Sequence, residues 1–253
     1  MRGAILIDVY WLEQTEADVP LGDNWLGTSE IDRLKTIRFS KRLGDWRLGR
    51  WTAKNAVASY LGLSDETHSL AEIEIVSSRS GAPEVFLCRQ PAEIAISLSH
   101  RAGAASAAIT CFNIALGCDL EIIEPRSAAF LSDYFTAEEQ SLIVGAGAKR
   151  DFVLSLLWSA KESALKALRA GLRMDTRCVS VYLSNLPYEV SEWQRLQVRH
   201  VSGQIFCGWW KESRGLVRTL VADRVLAPPT QLPILGGNWG LPIAEAGSET
   251  LST

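Results

Sequence analysis

Histidine is scarce, three residues in 253, and no dense His/Asp cluster stands anywhere in the chain. This argues against a phosphohydrolase built on such a metal centre. The five cysteines, Cys88, Cys111, Cys118, Cys178 and Cys207, are odd in number and widely spaced. They lack any C-x-x-C or Cys/His ligand spacing, so they read as reduced thiols in or near the core. No run approaches the roughly 18 apolar residues of a membrane helix. No secretory leader precedes the first strand-like run at 4–12, so a cytoplasmic protein without a membrane partner is expected. Basic excess is missing too: a net charge of -3 and a pI near 5.7 argue against nucleic acid as a partner. Any phosphate binding must therefore be local.

What is present is an ordinary globular composition, long enough for one large domain or two small ones. The stretch 152–171, FVLSLLWSAKESALKALRAG, is a strongly amphipathic helix. Leu154, Leu157, Ala160, Ala164, Leu165 and Leu168 recur at three- and four-residue spacing and form one apolar face, with Gly171 as a natural stop. Lys161 projects near the middle of that face, where a plain amphipathic helix would carry no charge. Glu162 and Lys166 lie one turn apart along its flank. Taken alone they could be a solvated surface pair, and Lys161 could snorkel out of the core.

Upstream, the run 4–12 reads as a strand. Helices follow, one capped by Ser29 and one over about 45–61, stopped by Gly62, with Arg47, Arg50 and Lys54 outward. Arg33, Lys35, Arg38, Lys41, Arg42, Arg47 and Arg50 concentrate basic charge there, as a solvated face or a phosphate clamp. Short strands are expected at 71–76 and 85–88. The runs 93–99, 104–112 and 114–122 read as an antiparallel meander, with Ser99 and His100 at a strand end. Thr136 and Glu139 have capping-box spacing. Strands at 179–183, 196–200, 204–210 and 216–222 would complete a second sheet. From Pro228 onward the composition becomes that of a poorly ordered tail.

Asp119 and Glu121, two apart on a strand, point to the same face. Two carboxylates on an otherwise apolar strand repel each other and resist burial. An edge strand with one wet face would relieve this, and so would a hard divalent cation, which takes a few carboxylates and substrate phosphates. Both halves of the chain contain helices and a small sheet, but no residue-level repeat establishes duplication. A ligand touching both the basic cluster and the Glu/Lys helix would sit between the halves.

Gly117-Cys118-Asp119-Leu120-Glu121 followed by Trp158-Ser159-Ala160-Lys161-Glu162-Ser163-Ala164-Leu165-Lys166 resembles a known paired signature. It is that of the 4′-phosphopantetheinyl transferases, G-(I/V)-D-(I/V)-E ahead of W-(S/T)-x-K-E-(A/S)-x-x-K. Ser29-Glu30 through Arg38-Phe39, Gly49-Arg50, the turn Ser80-Gly81-Ala82-Pro83 and the strand end Ile96-Ser97-Leu98-Ser99-His100 look like the flanking elements of the two-halved, surfactin-synthetase-activating type. Two positions depart: Cys118 stands for an aliphatic residue, and Ala82 for the lysine of a G-K-P turn.

The resemblance implies an α+β fold, a pseudo-dimer of two similar halves, 1–112 and 113–227, with the active site between them and a flexible tail at 228–253. It implies transfer of the phosphopantetheine arm of coenzyme A to a serine of an apo acyl, peptidyl or aryl carrier protein, with release of adenosine 3′,5′-bisphosphate. A homologue that binds a carrier or coenzyme A without turnover is the alternative. Asp119, Glu121 and Glu162 would hold Mg²⁺, or Mn²⁺. Lys166 would stabilise or protonate the leaving phosphate, and Glu162, or failing it Glu139, would take the serine proton. Ser99, His100, Lys41, Arg42, Arg79, Lys161 and Lys166 would contact the coenzyme. With both half-sites in one chain, a monomer is expected.

Overall fold

The computed structural model describes residues 6–63, 70–170, 173–183 and 192–234. The chain folds as α+β, with antiparallel sheets packed against helices. Strand β1 (Tyr10–Thr15) is followed by helices α1 (Thr28–Leu34) and α2 (Ser40–Leu61), then strands β2 (Ile73–Ser77), β3 (Pro83–Leu87), β4 (Gln90–Pro91), β5 (Ile94–Arg101) and β6 (Ala104–Cys111). Next come β7 (Leu116–Ile122), helices α3 (Ala128–Tyr134), α4 (Ala137–Gly145) and α5 (Arg150–Ala167), and strands β8 (Val179–Leu183), β9 (Gln194–His200), β10 (Ile205–Ser213), β11 (Leu216–Ala222) and β12 (Thr230–Gln231). No described helix is long and apolar enough to cross a membrane.

The expected meander breaks after β6. β5 and β6 pair antiparallel, but β7 pairs with β11 and opens a separate sheet in the order β7-β11-β10-β9-β8. The other sheets run β12-β1-β6-β5 and β2-β3-β4. Apolar alternation alone could not tell a third meander strand from the first strand of a new sheet. Two large hydrophobic clusters form, one around α2 and one around α5. A smaller cluster that includes Val9, Ala108, Cys118 and Leu220 joins the two sheets. Across this junction Arg218 grips Glu13 with two hydrogen bonds of 2.6 and 2.7 Å.

Residues after Pro228 also depart from expectation. Thr230 and Gln231 add a parallel strand to β1, and Leu232 is buried in the cluster around α2; residues 235–253 of the expected tail lie outside the described residues. Residues 4 and 5 of the expected first strand, and Gly171, the expected helix stop, lie outside them too. Helix α5 gives way at Arg169, whose φ of 54° is left-handed, while Ala170 N–H returns to Leu165 O at 3.1 Å.

Helices α2 and α5 carry related segments, Trp51-Thr52-Ala53-Lys54 and Trp158-Ser159-Ala160-Lys161, and the two lysines do the same job. Lys54, expected on the outer face, is fully buried: it bridges to Glu30 and donates to Trp25 O and Leu70 O at 3.0 and 2.9 Å. Lys161 is fully buried against Glu139 at 2.7 Å and donates to Thr176 O and Val179 O at 3.0 and 2.6 Å. Each glutamate also caps its own helix, taking Gly27 N–H or Thr136 N–H, and accepts a strand amide, from Ile75 or Val181. A buried charge is tolerated only with such complete pairing.

Lys161→Met, and separately Lys54→Met, should lower stability by about 3–5 kcal/mol in urea denaturation, because an unpaired glutamate stays buried. The paired replacement Lys161→Met with Glu139→Leu should cost much less.

Candidate active site

The site begins with a glycine. A β-carbon at Gly117 would stand 1.8 Å from Ser163 O and 2.8 Å from Ala167 N, so only glycine lets α5 lie this close to β7. Small residues complete the contact: Ser159 and Ser163 share Thr219 Oγ1 on β11 at 2.8 and 2.7 Å, and Ser155 donates to Ile122 O at 3.0 Å. Helix and strand run in opposite directions, so Lys166 reaches Asp119 while Trp158 reaches Glu121.

Asp119, 6 % exposed, accepts Lys166 Nζ at 2.7 Å and Ser99 Oγ at 2.8 Å on Oδ1. Its Oδ2 is buried and without a hydrogen-bond partner. Glu121 accepts Trp158 Nε1–H at 3.0 Å, with Arg101 and Arg126 beside its other oxygen. Burial and the Asp119 carboxylate raise its pKa, against the pull of the two arginines. Glu162 is pushed up to about 7, by burial first and then by Asp119 and Glu121, with Lys166 opposing. At Lys166 burial alone would lower the pKa, but Asp119, with smaller help from its neighbours, outweighs it and holds the ammonium charged.

A cleft of about 820 Å³ opens beside this cluster. Lys166, Ser99 and His100 line it, together with Trp46 and Arg50 of α2 and the turn Ser80–Pro83. Of the basic cluster expected as a solvated face or a phosphate clamp, Arg50 is the member that lines the cleft: its guanidinium stacks on Trp46 at 5.3 Å, and its Nε is buried without a hydrogen-bond partner, 3.9 Å from Glu30. Lys41 and Arg42 are exposed and do not line the cleft, but they stand one helical turn before Asp45 and Trp46, which do. Arg79 is an exposed neighbour of Ser80 at the rim. Glu139 and Lys161 are not brought to the cleft. Both carboxylate oxygens of Glu139 are occupied, and Lys161 Nζ is enclosed by Glu139 and two carbonyls.

Residues 115–214 match the model of the 4′-phosphopantetheinyl transferase superfamily. That match takes in β7, α5 and the strands up to β10, which is under half of the chain. A 63-residue segment is 44% identical to fatty acid synthase subunit alpha of Schizosaccharomyces pombe, covering 21% of this chain and 3% of the relative. The chain thus spans only a small part of that curated relative. A holo-(acyl-carrier-protein) synthase from Bacillus anthracis str. Ames, solved with CoA (3′,5′-ADP), aligns with TM-score 0.36 and 21% identity over 43% of this chain and 97% of its own.

Within the matched region the acidic strand and the Glu/Lys helix are in contact. The unpartnered Asp119 Oδ2 is a hard oxygen that a divalent cation would satisfy, and Glu121 and Glu162 are electrostatically coupled to it. Among the described residues no three carboxylate, imidazole or thiolate groups stand ready as a cation cage. A cation here would need water and phosphate to complete its shell, the way Mg²⁺ binds with few protein carboxylates.

A carboxyl raised in the folded state contributes stability below its unfolded value, near 4.3, and loses it as pH rises through about 7. In cation-free buffer Glu162→Gln should therefore melt progressively higher than wild type from pH 5 to pH 8. A constant gap would show that Glu162 does not feel its neighbours.

Proposed function

We propose that this protein transfers the 4′-phosphopantetheine arm of coenzyme A to a serine hydroxyl of an apo carrier protein and releases adenosine 3′,5′-bisphosphate. The observation that carries this reading is Lys166. It lines the cleft and is bonded to Asp119 at 2.7 Å, one helical turn from Glu162 with its raised pKa. Two regions, 1–112 and 113–227, form the two sides of the site as halves of similar plan.

In this reading coenzyme A lies in the cleft, its adenosine-side phosphates toward Arg50 and His100 and, at the rim, Lys41, Arg42 and Arg79. Ser99 contributes by orienting Asp119. The serine oxygen bonds to the phosphorus that carries the pantetheine arm, and the pyrophosphate P–O bond to the adenosine side breaks. Glu162, one helical turn from Lys166, accepts the serine proton, directly or through a water on the cation. Lys166, held charged, donates to the leaving phosphate. Asp119, Glu121 and Glu162 would hold Mg²⁺ or Mn²⁺. The cation, when bound, neutralises charge on the pyrophosphate.

The likeness to a fatty acid synthase subunit makes an acyl carrier of fatty-acid synthesis the first partner to test, with peptidyl, aryl and polyketide carriers after it. A monomeric cytoplasmic enzyme, without nucleic-acid or membrane partners, completes the proposal.

Intact-protein mass spectrometry of an apo carrier incubated with this protein, coenzyme A and Mg²⁺ should show the gain of one phosphopantetheine arm, abolished by EDTA. No gain on any carrier, despite coenzyme binding, would leave a binding protein rather than a transferase. Asp119→Ala should abolish transfer with the fold retained, as read by circular dichroism. Lys166→Ala should lower kcat by about 10²-fold while changing coenzyme affinity little. An equal loss in both would reduce Lys166 to a binding group.

A further inference from the structure

Glu121 is not simply waiting for a cation. One of its oxygens takes Trp158 Nε1–H, and the other faces Arg126 Nη2 at 3.4 Å and Arg101 Nε at 3.5 Å. The same two guanidinium groups hold a second carboxylate, Glu124, more closely, at 2.8 Å from Arg126 and 2.5 Å from Arg101. Arg101 ends β5 and Arg126 follows β7, so the four charges link the two sheets at the rim of the carboxylate cluster. Arg126 also stacks on Phe130 at 5.2 Å, and Phe130 packs on Trp158 at 4.9 Å. Arg101 Nε is buried with no hydrogen-bond partner, so its contact with Glu121 is electrostatic only.

We infer that Arg101 and Arg126 are the resident counter-ions of Glu121, and that Glu124 is the acceptor that retains them when a divalent cation takes Glu121. The inference rests on the reading that Asp119, Glu121 and Glu162 receive that cation. Cation and guanidinium groups compete for the same oxygen, so apparent cation affinity is reduced by the fraction of molecules in which the arginines cover Glu121. Glu124 lowers that fraction because it already holds both arginines at shorter distances. Asp119 is matched by a cation in the same way, Lys166 on its Oδ1, while its Oδ2 has no hydrogen-bond partner. Arg101, Arg126 and Glu124 are on this account positioning residues that set cation affinity.

Through-space electrostatics would also let Glu124→Gln weaken cation binding, so the discriminating observation is non-additivity. Mn²⁺ binding, followed by electron paramagnetic resonance without coenzyme, should weaken about five- to tenfold in E124Q. The R101Q/R126Q protein should bind Mn²⁺ more tightly than wild type by a similar factor, and adding E124Q to it should change affinity less than twofold. Equal weakening by E124Q in both backgrounds, or weaker binding in R101Q/R126Q, overturns the inference. Thermal melts verify folding; if the double replacement fails to fold, the cycle of R126Q with E124Q gives the same decision. Wild type that binds no Mn²⁺, or binding untouched by D119N, overturns the underlying cation reading and the inference with it. Intact D119N-sensitive binding with additive effects overturns the inference alone.

Discussion

At Gly117 the backbone of β7 passes so close beneath α5 that a methyl group would stand 1.8 Å from a helix carbonyl. That approach brings Lys166 within 2.7 Å of Asp119 and Trp158 within 3.0 Å of Glu121. Serines at 155, 159 and 163 keep the contact short, each bonded to the sheet. The spacing of glycine, aspartate and glutamate on the strand, and of tryptophan, glutamate and lysine on the helix, follows from laying one element along the other in opposite directions. Burial at this contact then raises Glu162 toward neutrality while Asp119 keeps Lys166 charged.

The helix is held in place from its other side. Lys161 anchors α5 to Glu139 of α4, and Lys54 anchors α2 to Glu30 of α1 by the same set of contacts. The residue after each buried lysine differs: Glu162 in one helix, Asn55 in the other, where the amide of Asn55 is spent on Trp51 O at 2.8 Å. Five positions after the lysine stand Lys166 and Ser59. Two helices share an anchor, and only α5 carries a glutamate and a lysine at these two positions. The other lends Trp46 and Arg50 to the cleft wall.

Charges in improbable places were the legible part. Asp119 and Glu121 on an apolar strand, and a lysine on an apolar helix face, each demanded a partner, and pattern alone located them. The partners were not legible, because they come from distant segments. Glu139 accounts for Lys161, and its capping-box spacing disclosed only half of its role. Lys54 read as a surface residue because nothing local marks the pocket formed by Trp25 O, Leu70 O and Glu30. The meander failed because β7 and β6 are neighbours in sequence but belong to different sheets. The related Trp-x-Ala-Lys segments were visible in principle, but four residues become convincing only when both lysines are seen to perform the same task. Arg101 and Arg126 carry no motif, and only the fold brings them to Glu121.

We propose that the contact of α5 with β7 forms a coenzyme and cation site. Crystals grown with coenzyme A and Mn²⁺, with anomalous scattering used to locate the metal, test it most directly. Manganese is expected on oxygens of Asp119, Glu121 and Glu162 and on the coenzyme pyrophosphate, with Lys166 directed at that pyrophosphate. Manganese on other side chains, or coenzyme seated outside the cleft, would contradict it.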